Sequence, residues 1–376
     1  MNQPNKTSIF LPALVFCLLL LCCPASMLGD VLYTQTNSAS GNAIVAFEQN
    51  SLTGELILKN VYPTSGAGNA AFVGFSQDSI VTDGRFLFAV NSGSNTISAF
   101  KIENNGALRL IGAPVSSGGL APISLALFQG TLYVANQGDG ASVPANYTGF
   151  KVHEDGSLMP IPQSTSTLFV GALPTDIRFS PDGSLLVASR RGDNTIETFR
   201  VTEDGRLVSA AALTGQSGAF GMEFNPAAGN NLIAGLIGVP GLTSYRIGKD
   251  GSIAVLGATV DTAAVDSCWA ALLNNGQFAF FSGLFGQSVA LTRVNPDGTL
   301  QSLSLHDTSA FGQFASDITL DTAQHFLYEV LPGSARIHVM RVAIGDGSNG
   351  GLTDVQTIPL PPQSSPIGLV AVRTEE

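Results

Sequence analysis

Apolar and polar residues alternate along most of this chain in short runs, and many of these runs end in a turn that contains glycine. One phrase recurs with small variations: an aromatic or apolar residue, a basic or polar one, an apolar one, two polar residues and then Asp-Gly. Clear copies occupy 150–156, 199–205, 245–251 and 292–298, and looser copies end at Gly54, Gly106 and Gly347. Successive glycines of this set lie 46 to 52 residues apart. The alternation predicts β-strands, and glycine, which adopts positive φ without strain, predicts the tight turn that follows.

A second set of turns precedes this phrase in most repeats, at Asp83-Gly84, Gln129-Gly130, Asp182-Gly183 and Asn275-Gly276. A further strand lies between the two turns, as in 95–100 and 194–199. Each repeat is therefore predicted to contain four short strands, a to d, with small connections and no helical periodicity. Four-stranded units of this length predict an all-β fold, a seven-bladed β-propeller with four antiparallel strands in each blade.

The two ends of the chain are predicted to close the ring. Residues 31–35 resemble a second strand such as 132–136, whereas residues 366–372 resemble a first strand such as 174–179. The C-terminal strand 366–372 would therefore complete the first blade, and its pairing would remove an open sheet edge. Residues 30–376 are predicted to form one propeller domain.

Residues 1–29 have the composition of a secretory signal peptide. Lys6 is the only charged residue before Asp30, and the apolar segment 10–21 is followed by small residues. This segment is too short for a bilayer, which needs about 20 residues, so a retained anchor is the less favoured alternative. We interpret 1–29 as a signal cleaved between Ala25 and Asp30, and we expect a secreted protein that has no membrane contact after cleavage.

Cleavage would leave Cys268 as the one remaining cysteine, so no intrachain disulfide is expected. One sequon remains, at Asn146-Tyr-Thr, in a stretch that resembles a loop, and Asn146 is therefore a predicted glycosylation site. Charged residues make up only 12% of the chain, and the net charge is −11. An acidic chain without a basic cluster is not expected to bind nucleic acid or anionic lipid.

Several segments resemble the lactonase-type seven-bladed propellers, a family that includes 6-phosphogluconolactonases and carboxymuconate cyclases. They are 76–100, Pro122-Ile-Ser124, Phe179-Ser-Pro-Asp-Gly183 and Ser267-Cys-Trp-Ala270, and the resemblance extends over 31–373. It implies a Pro-x-His at the start of an inner strand and an Asn-Glu after a second strand.

This chain departs from both family patterns. The first is replaced by Pro122-Ile-Ser124 and Pro174-Thr-Asp176, and the second by Asn91-Ser92, Asn136-Gln137, Ser189-Arg190 and Gly235-Leu236. Lactone hydrolysis of the usual type would therefore lack both its proton shuttle and its carboxylate.

A narrower resemblance is to secreted fungal propellers that are poor in charge and lack the lactonase residues. That resemblance implies an intermolecular hetero-Diels–Alderase, which joins a tropolone-derived ortho-quinone methide to a humulene-type alkene. Holding two apolar partners together supplies ~7–11 kcal/mol without acid or base residues. The expected ligands are hydrophobic small molecules, and no cofactor is expected.

In a propeller the b–c loops and the d–a links surround one mouth of the axial channel, which is the expected ligand site. Arg190 and Arg191 lie in a predicted mouth loop and are candidate catalytic donors to a substrate oxygen. An ion pair with Asp193 is the structural alternative. Asp176 takes the position of the family histidine and is a candidate catalytic acid or base, or a partner for Arg190.

The candidate substrate-binding residues are aromatic or polar side chains at predicted mouth positions: Trp269, Phe220, Phe285, Phe314, Asn136, His306 and Glu329. For Trp269, core packing is favoured over stacking on a substrate. Glu329 is predicted to be buried, because other blades carry valine or alanine at its strand position. The four histidines are too scattered to predict a metal site.

Three functions fit these features. The favoured one is cycloaddition of two apolar molecules. The alternatives are a non-catalytic secreted propeller that binds a glycan, a surface or a protein, and a lactonase or carboxymuconate cyclase with a non-standard site.

Overall fold

In this computed structural model, the structure describes Met1 and residues 28–70, 77–344 and 351–374. These residues form strands and turns, and within them no helix is long and apolar enough to cross a membrane. The predicted signal peptide lies outside the described residues, apart from Met1 and its last two residues, which begin the first strand.

The strands form seven antiparallel sheets, which are the seven predicted blades. Blade 1 contains β1 (Leu28–Gln35), β2 (Ala43–Asn50), β3 (Leu56–Pro63) and β31 (Ile367–Arg373). Blade 2 contains β4 (Ile80–Thr82), β5 (Phe86–Asn91), β6 (Thr96–Ile102), β7 (Leu108–Leu110) and β8 (Val115–Ser116). Blade 3 contains β9 (Pro122–Phe128), β10 (Thr131–Asn136), β11 (Asn146–Val152), β12 (Leu158–Pro160) and β13 (Ser166–Thr167).

The second half of the ring repeats the same arrangement. Blade 4 contains β14 (Pro174–Phe179), β15 (Leu185–Arg190), β16 (Thr195–Val201) and β17 (Leu207–Leu213). Blade 5 contains β18 (Ala219–Phe224), β19 (Asn231–Leu236), β20 (Gly241–Ile247), β21 (Ile253–Val255) and β22 (Val260–Asp261). Blade 6 contains β23 (Trp269–Leu272), β24 (Phe278–Ser282), β25 (Ser288–Val294) and β26 (Leu300–Asp307). Blade 7 contains β27 (Asp317–Leu320), β28 (Phe326–Leu331), β29 (Arg336–Ala343) and β30 (Gly351–Pro359).

The predicted ring closure is confirmed. β31 pairs antiparallel with β1, with Val31 opposite Val372, and becomes the innermost strand of blade 1. The Asp30 carboxylate accepts hydrogen bonds from Arg373 Nε at 2.9 Å and from Thr322 Oγ1 at 2.7 Å. Because Thr322 belongs to blade 7, this carboxylate joins the first and last blades.

Apolar side chains pack mainly between neighbouring blades. Seven hydrophobic clusters occupy the seven interfaces, for example the one that joins Tyr33 of blade 1 to Phe100 of blade 2. The second strands of blades 2 to 7 are buried along their whole length, since they are covered on both faces by neighbouring blades. Such strands are apolar on both faces, which is why strict alternation weakens there.

The repeated turn glycines have the predicted positive φ, for example +81° at Gly205 and +88° at Gly298. Gly347 lies outside the described residues. At Gly183 a second constraint applies, because a Cβ atom there would lie 2.0 Å from the Phe128 ring of the preceding blade. The repeated turns therefore also form contacts between blades.

Candidate functional site

The seven innermost strands contact one another in a ring and enclose an axial channel. Going round the ring, they are β4, β9, β14, β18, β23, β27 and β31. Along β14, Ile177 and Phe179 are buried in the interface between blades 3 and 4. Since side chains alternate in direction along a strand, the intervening Arg178 points into the channel.

Arg178 is held by carboxylates from three blades. Its Nη2 lies 2.6 Å from Asp78 Oδ2 of blade 2, and its Nη1 lies 3.1 Å from Glu223 Oε1 of blade 5. Its Nε lies 3.9 Å from Asp176 Oδ2 on its own strand. One guanidinium group thus connects three separate blades across the channel.

Asp176 and Asp317 occupy equivalent positions in blades 4 and 7. Asp176 is fully buried and accepts hydrogen bonds from Ser124 Oγ at 3.2 Å and from the Met222 amide at 2.9 Å. Asp317, also buried, accepts a hydrogen bond from the Leu369 amide at 3.2 Å. In both blades the carboxylate accepts a hydrogen bond from a backbone N–H group of the inner strand of the next blade.

Burial raises the pKa of all four carboxyl groups, at Asp78, Asp176, Glu223 and Asp317. The nearby Arg178 guanidinium opposes this rise at the first three. For Glu223 the net effect raises the pKa to about 7. Three carboxyl groups therefore share one guanidinium, and Asp317 lies outside its contacts, so at neutral pH part of the cluster is protonated and can donate hydrogen bonds.

Two adjoining cavities occupy the channel beside this cluster. One of about 380 Å³ is lined by Arg178 and by apolar residues of blades 2 to 4 such as Leu125 and Phe128. The other, of about 290 Å³, is lined by Glu223 and by residues of blades 6 and 7. Both are lined by Asp78, Thr319 and Val370. The first cavity has apolar and polar walls in similar measure, and the second is lined mostly by polar groups.

Gln77 spans the channel on the side of the b–c loops. Its amide group makes two hydrogen bonds to Ala270 of blade 6, donating to the carbonyl at 3.1 Å and accepting from the N–H at 3.0 Å. The cavities instead extend to the a–b turns, where Pro181 and Asn274 line them. They thus lie toward the face opposite to the predicted mouth.

The structure places Arg190 outside the channel, so its predicted place in the axial site is wrong. It is the last residue of β15 and is mostly buried, and its guanidinium lies 2.9 Å from Asp193 Oδ2 and 3.1 Å from Glu197 Oε1. Tyr147 also donates a hydrogen bond to Glu197. The expected alternative, an ion pair with Asp193, is confirmed. Arg191 is partly buried beside it, and burial lowers its pKa.

Asp176 does not pair with Arg190, as one interpretation expected, but belongs to the Arg178 cluster. Two aromatic candidates are also not at a mouth. Phe220 and Trp269 are fully buried and pack edge to face, with ring centroids 5.4 Å apart. For Trp269 this confirms the favoured core position.

The predicted positions of Asn136 and Asn146 are both wrong. Both were expected in exposed loops, but they lie at the paired ends of β10 and β11 and are buried. Asn136 Nδ2 donates to Asn146 Oδ1 at 2.8 Å, and Asn146 Nδ2 donates to the Gly118 carbonyl. In the folded blade the Asn146 side chain is therefore mostly buried and hydrogen-bonded, and its glycosylation stays a prediction.

His306 was expected in a d–a link but lies in the outer strand β26. Its Nε2 is 2.7 Å from Asp354 Oδ1, and the same oxygen is 3.0 Å from His338 Nε2. Glu329 is fully buried, as predicted, with Oε2 3.6 Å from His338 Nδ1 and Oε1 accepting from Ser282 at 2.5 Å. These residues lie between blades 6 and 7, away from the channel.

Phe285 and Phe314 do lie on the b–c loop face, as predicted. Their rings pack edge to face with centroids 5.8 Å apart, and 55% of Phe285 is exposed. Phe285 lines a third cavity of about 230 Å³. In the described part of the chain, no group of three or more His, Cys, Asp or Glu side chains is arranged to hold a metal ion.

The sequence analysis missed Arg178, Glu223, Asp78 and Asp317. A signal for the first two was present, because each is a charged residue between two apolar ones within an inner strand. At the matching register the other inner strands carry small or apolar residues such as Ala126, Ala271 and Val370. A charge at this position has to face the axis.

A family model described as a seven-bladed β-propeller lactonase matches residues 29–146 and 142–236. No curated protein matches the chain. Similar solved structures include the periplasmic gluconolactonase of Pseudomonas aeruginosa, 18% identical with a TM-score of 0.77 over 93% of this chain and 100% of that one. Candidate 6-phosphogluconolactonases from Bacteroides fragilis (21% identical, TM-score 0.73, 93% and 99% covered) and Bacteroides uniformis (22%, 0.72, 92% and 99%) are also similar. At these identities the likeness shows the fold alone.

Proposed function

We propose, from the premise that this chain belongs to the lactonase family of seven-bladed β-propellers, that it is an exported enzyme that converts small apolar molecules in its axial channel. The observation that carries this proposal is the Arg178 cluster at the wall of two adjoining cavities. The apolar side chains of β9 and β14 in the first cavity would hold the substrate, and the cluster would bind its oxygen atom.

The reaction we favour is an intermolecular hetero-Diels–Alder addition. A tropolone-derived ortho-quinone methide supplies a C=C–C=O unit, and a humulene-type alkene supplies the C=C. One C–C and one C–O bond form, three π bonds become one, and no atom is lost. The reaction needs no base, so it suits a chain without the family histidine and glutamate.

The channel offers two contributions to this reaction. The adjoining cavities would hold the two apolar partners side by side, which replaces a bimolecular encounter by a bound pair. A protonated Glu223, together with the Arg178 guanidinium, would donate hydrogen bonds to the quinone-methide oxygen and withdraw electron density from the heterodiene. The role first assigned to Arg190 passes to Arg178, because Arg190 is paired outside the channel.

Lactone hydrolysis is a second candidate, favoured by one specific observation. A carboxyl group whose pKa is about 7, as at Glu223, is suited to general acid–base catalysis at neutral pH. It would activate a water molecule toward the lactone carbonyl, and Arg178 would bind the oxyanion. The third possibility, a non-catalytic binding propeller, predicts no turnover of either substrate.

The test incubates the exported protein with a quinone-methide precursor and a humulene-type alcohol, and separately with a panel of γ- and δ-lactones. We expect cycloaddition that is faster and more stereoselective than the uncatalysed reaction, with at least about a tenfold loss of rate, or about 1.4 kcal/mol, in Arg178→Met. Glu203→Gln, an exposed turn carboxylate, is the matched control for Glu223→Gln.

Each outcome separates the candidates. Racemic product at the uncatalysed rate would eliminate cycloaddition, and lactone turnover that Glu223→Gln abolishes would select hydrolysis. The N-terminus of the same exported protein tests the predicted cleavage. We expect it to lie between Ser26 and Asp30. A chain that begins beyond Asp30 would contradict the proposed cleavage, since the Asp30 carboxylate binds Thr322 and Arg373.

A further inference from the structure

The third cavity lies on the face of the b–c loops and shares no lining residue with the two channel cavities. It has a volume of about 230 Å³ and is lined by Ile237, Val265, Asp266, Cys268, Leu284 and Phe285. The loops after β19 and β24 and the link into blade 6 form its walls. Five of the six lining residues are apolar or weakly polar, and the sixth is a carboxylate.

Asp266 is only 5% exposed. Its oxygens accept hydrogen bonds from the amides of Phe285 at 3.2 Å and Gly286 at 3.1 Å, and from Cys268 Sγ at 3.5 Å. Within residues 28–70, 77–344 and 351–374, no Lys, Arg or His nitrogen lies within 4.0 Å of it. The amides orient the carboxylate but carry no formal charge, so its negative charge has no cationic partner there. Buried charges are ordinarily paired.

The rim of the cavity is apolar and exposed. Val265 is 66% exposed and Phe285 is 55% exposed, and Phe285 packs edge to face on Phe314. Exposed apolar side chains that surround a cavity mark binding sites more often than isolated ones do. Aromatic rings also attract organic cations.

We propose that this pocket binds a small aryl-alkyl amine in its ammonium form. The ammonium group would pair with Asp266, and the apolar body would pack against Ile237, Leu284 and Phe285. Charge complementarity selects this ligand class, because a neutral apolar molecule would leave the buried carboxylate without a counter-charge. The site is independent of the channel and of the reaction proposed there.

The test measures binding of two probes by isothermal titration calorimetry: phenethylamine, and 2-phenylethanol as its neutral counterpart. We expect phenethylamine to bind at least about tenfold more tightly, and Asp266→Asn to remove that preference. Asp261→Asn, an exposed carboxylate at the end of β22 just before this link, is the matched control and should change nothing. Glu223→Gln in the channel should also leave amine binding unchanged.

A second variant tests the proposal in case Asp266→Asn does not fold. Val265→Lys replaces an exposed side chain and brings an internal ammonium group to the rim of the cavity. It should abolish the preference for phenethylamine while the fold is retained. Equal affinity for the two probes, no binding of either, or an amine preference that survives both substitutions would overturn the proposal.

Discussion

At the scale of single residues, this protein keeps several ionisable groups inside a largely apolar ring by placing groups of opposite polarity beside them. His338 is fully buried, and its two ring nitrogens face carboxylates on opposite sides, Glu329 at 3.6 Å and Asp354 at 3.0 Å. Phe311 stacks on the same imidazole with centroids 4.2 Å apart. Removing one member of such a set leaves the others buried without a partner.

We therefore expect Glu329→Gln and His338→Gln each to lower the free energy of unfolding by about 3 kcal/mol or more. The double variant should lose less than the sum, with a coupling energy of about 0.5–3 kcal/mol, because the second change removes a group already stranded by the first. Urea unfolding measures all three. His306→Gln, at the exposed end, is the control and should cost about 1 kcal/mol or less. Strict additivity of the two buried changes would contradict the pairing.

At the scale of strands, the same hydrogen bond from a buried tyrosine joins blade 1 to blade 2 and blade 3 to blade 4. The Tyr33 hydroxyl of blade 1 donates to the Gly106 carbonyl of blade 2 at 2.7 Å, and the Tyr133 hydroxyl of blade 3 donates to Gly205 of blade 4 at the same distance. In each case a buried tyrosine in a second strand reaches the turn glycine of the next repeat. The sequence repeat is thus also a repeat of contacts between blades.

Replacing Tyr133 by phenylalanine should cost about 1–3 kcal/mol, because the Gly205 carbonyl then loses its donor in a buried position. Tyr33→Phe should cost a similar amount, and the double variant should be additive within about 0.5 kcal/mol, since the two hydrogen bonds join different pairs of blades. Equilibrium unfolding in urea is the measurement, and Tyr62→Phe in the outer strand β3 is the control. A cost no larger than that of the control would contradict the role assigned to the hydroxyl groups.

The arrangement of the strands also explains which features could be predicted from the sequence. Blade number, strand order and ring closure follow from spacing, because each turn glycine marks one repeat and 366–372 resembles an inner strand. The candidate site did not follow, because side-chain direction at a strand end depends on its cross-strand partner. Asn136 was expected at a mouth, yet its pairing with Asn146 turns both amides inward. Arg178 was missed because its two nearest partners, Asp78 and Glu223, come from other blades and lie more than 40 residues away in sequence.

At the scale of the whole molecule, carboxyl groups fall into two sets with opposite pH behaviour. In the channel, burial raises the pKa of Asp176, Asp317 and Glu223, so these groups hold protons longer in the folded chain than in the unfolded one. On the turns, neighbouring hydroxyl and amide donors lower the pKa of groups such as Asp182 and Asp297. The first set favours the folded state at low pH, and the second set favours it at higher pH.

The sign of the channel effect follows from proton binding. Between the unfolded pKa of Glu223, near 4.5, and its folded pKa of about 7, the folded state binds more protons, so stability falls as pH rises through this window. The turn carboxylates act below about pH 4, where their protonation destabilises the folded chain. Stability should therefore be greatest near pH 5 and decline toward pH 8.

We expect the melting temperature to be about 3 °C higher at pH 5.5 than at pH 8 at constant ionic strength, on the basis of about 2 kcal/mol from Glu223 and the unfolding entropy of a chain of this size. Glu223→Gln should reduce that difference by the Glu223 contribution, because an amide cannot ionise in either state, and Asp176 and Asp317 should account for what remains. Glu203→Gln should preserve it. Calorimetric scans of the three proteins at the two pH values test this. A wild-type melting temperature that rises from pH 5.5 to pH 8, or a Glu223→Gln protein that keeps the full difference, would show that the channel carboxyl does not carry a raised pKa.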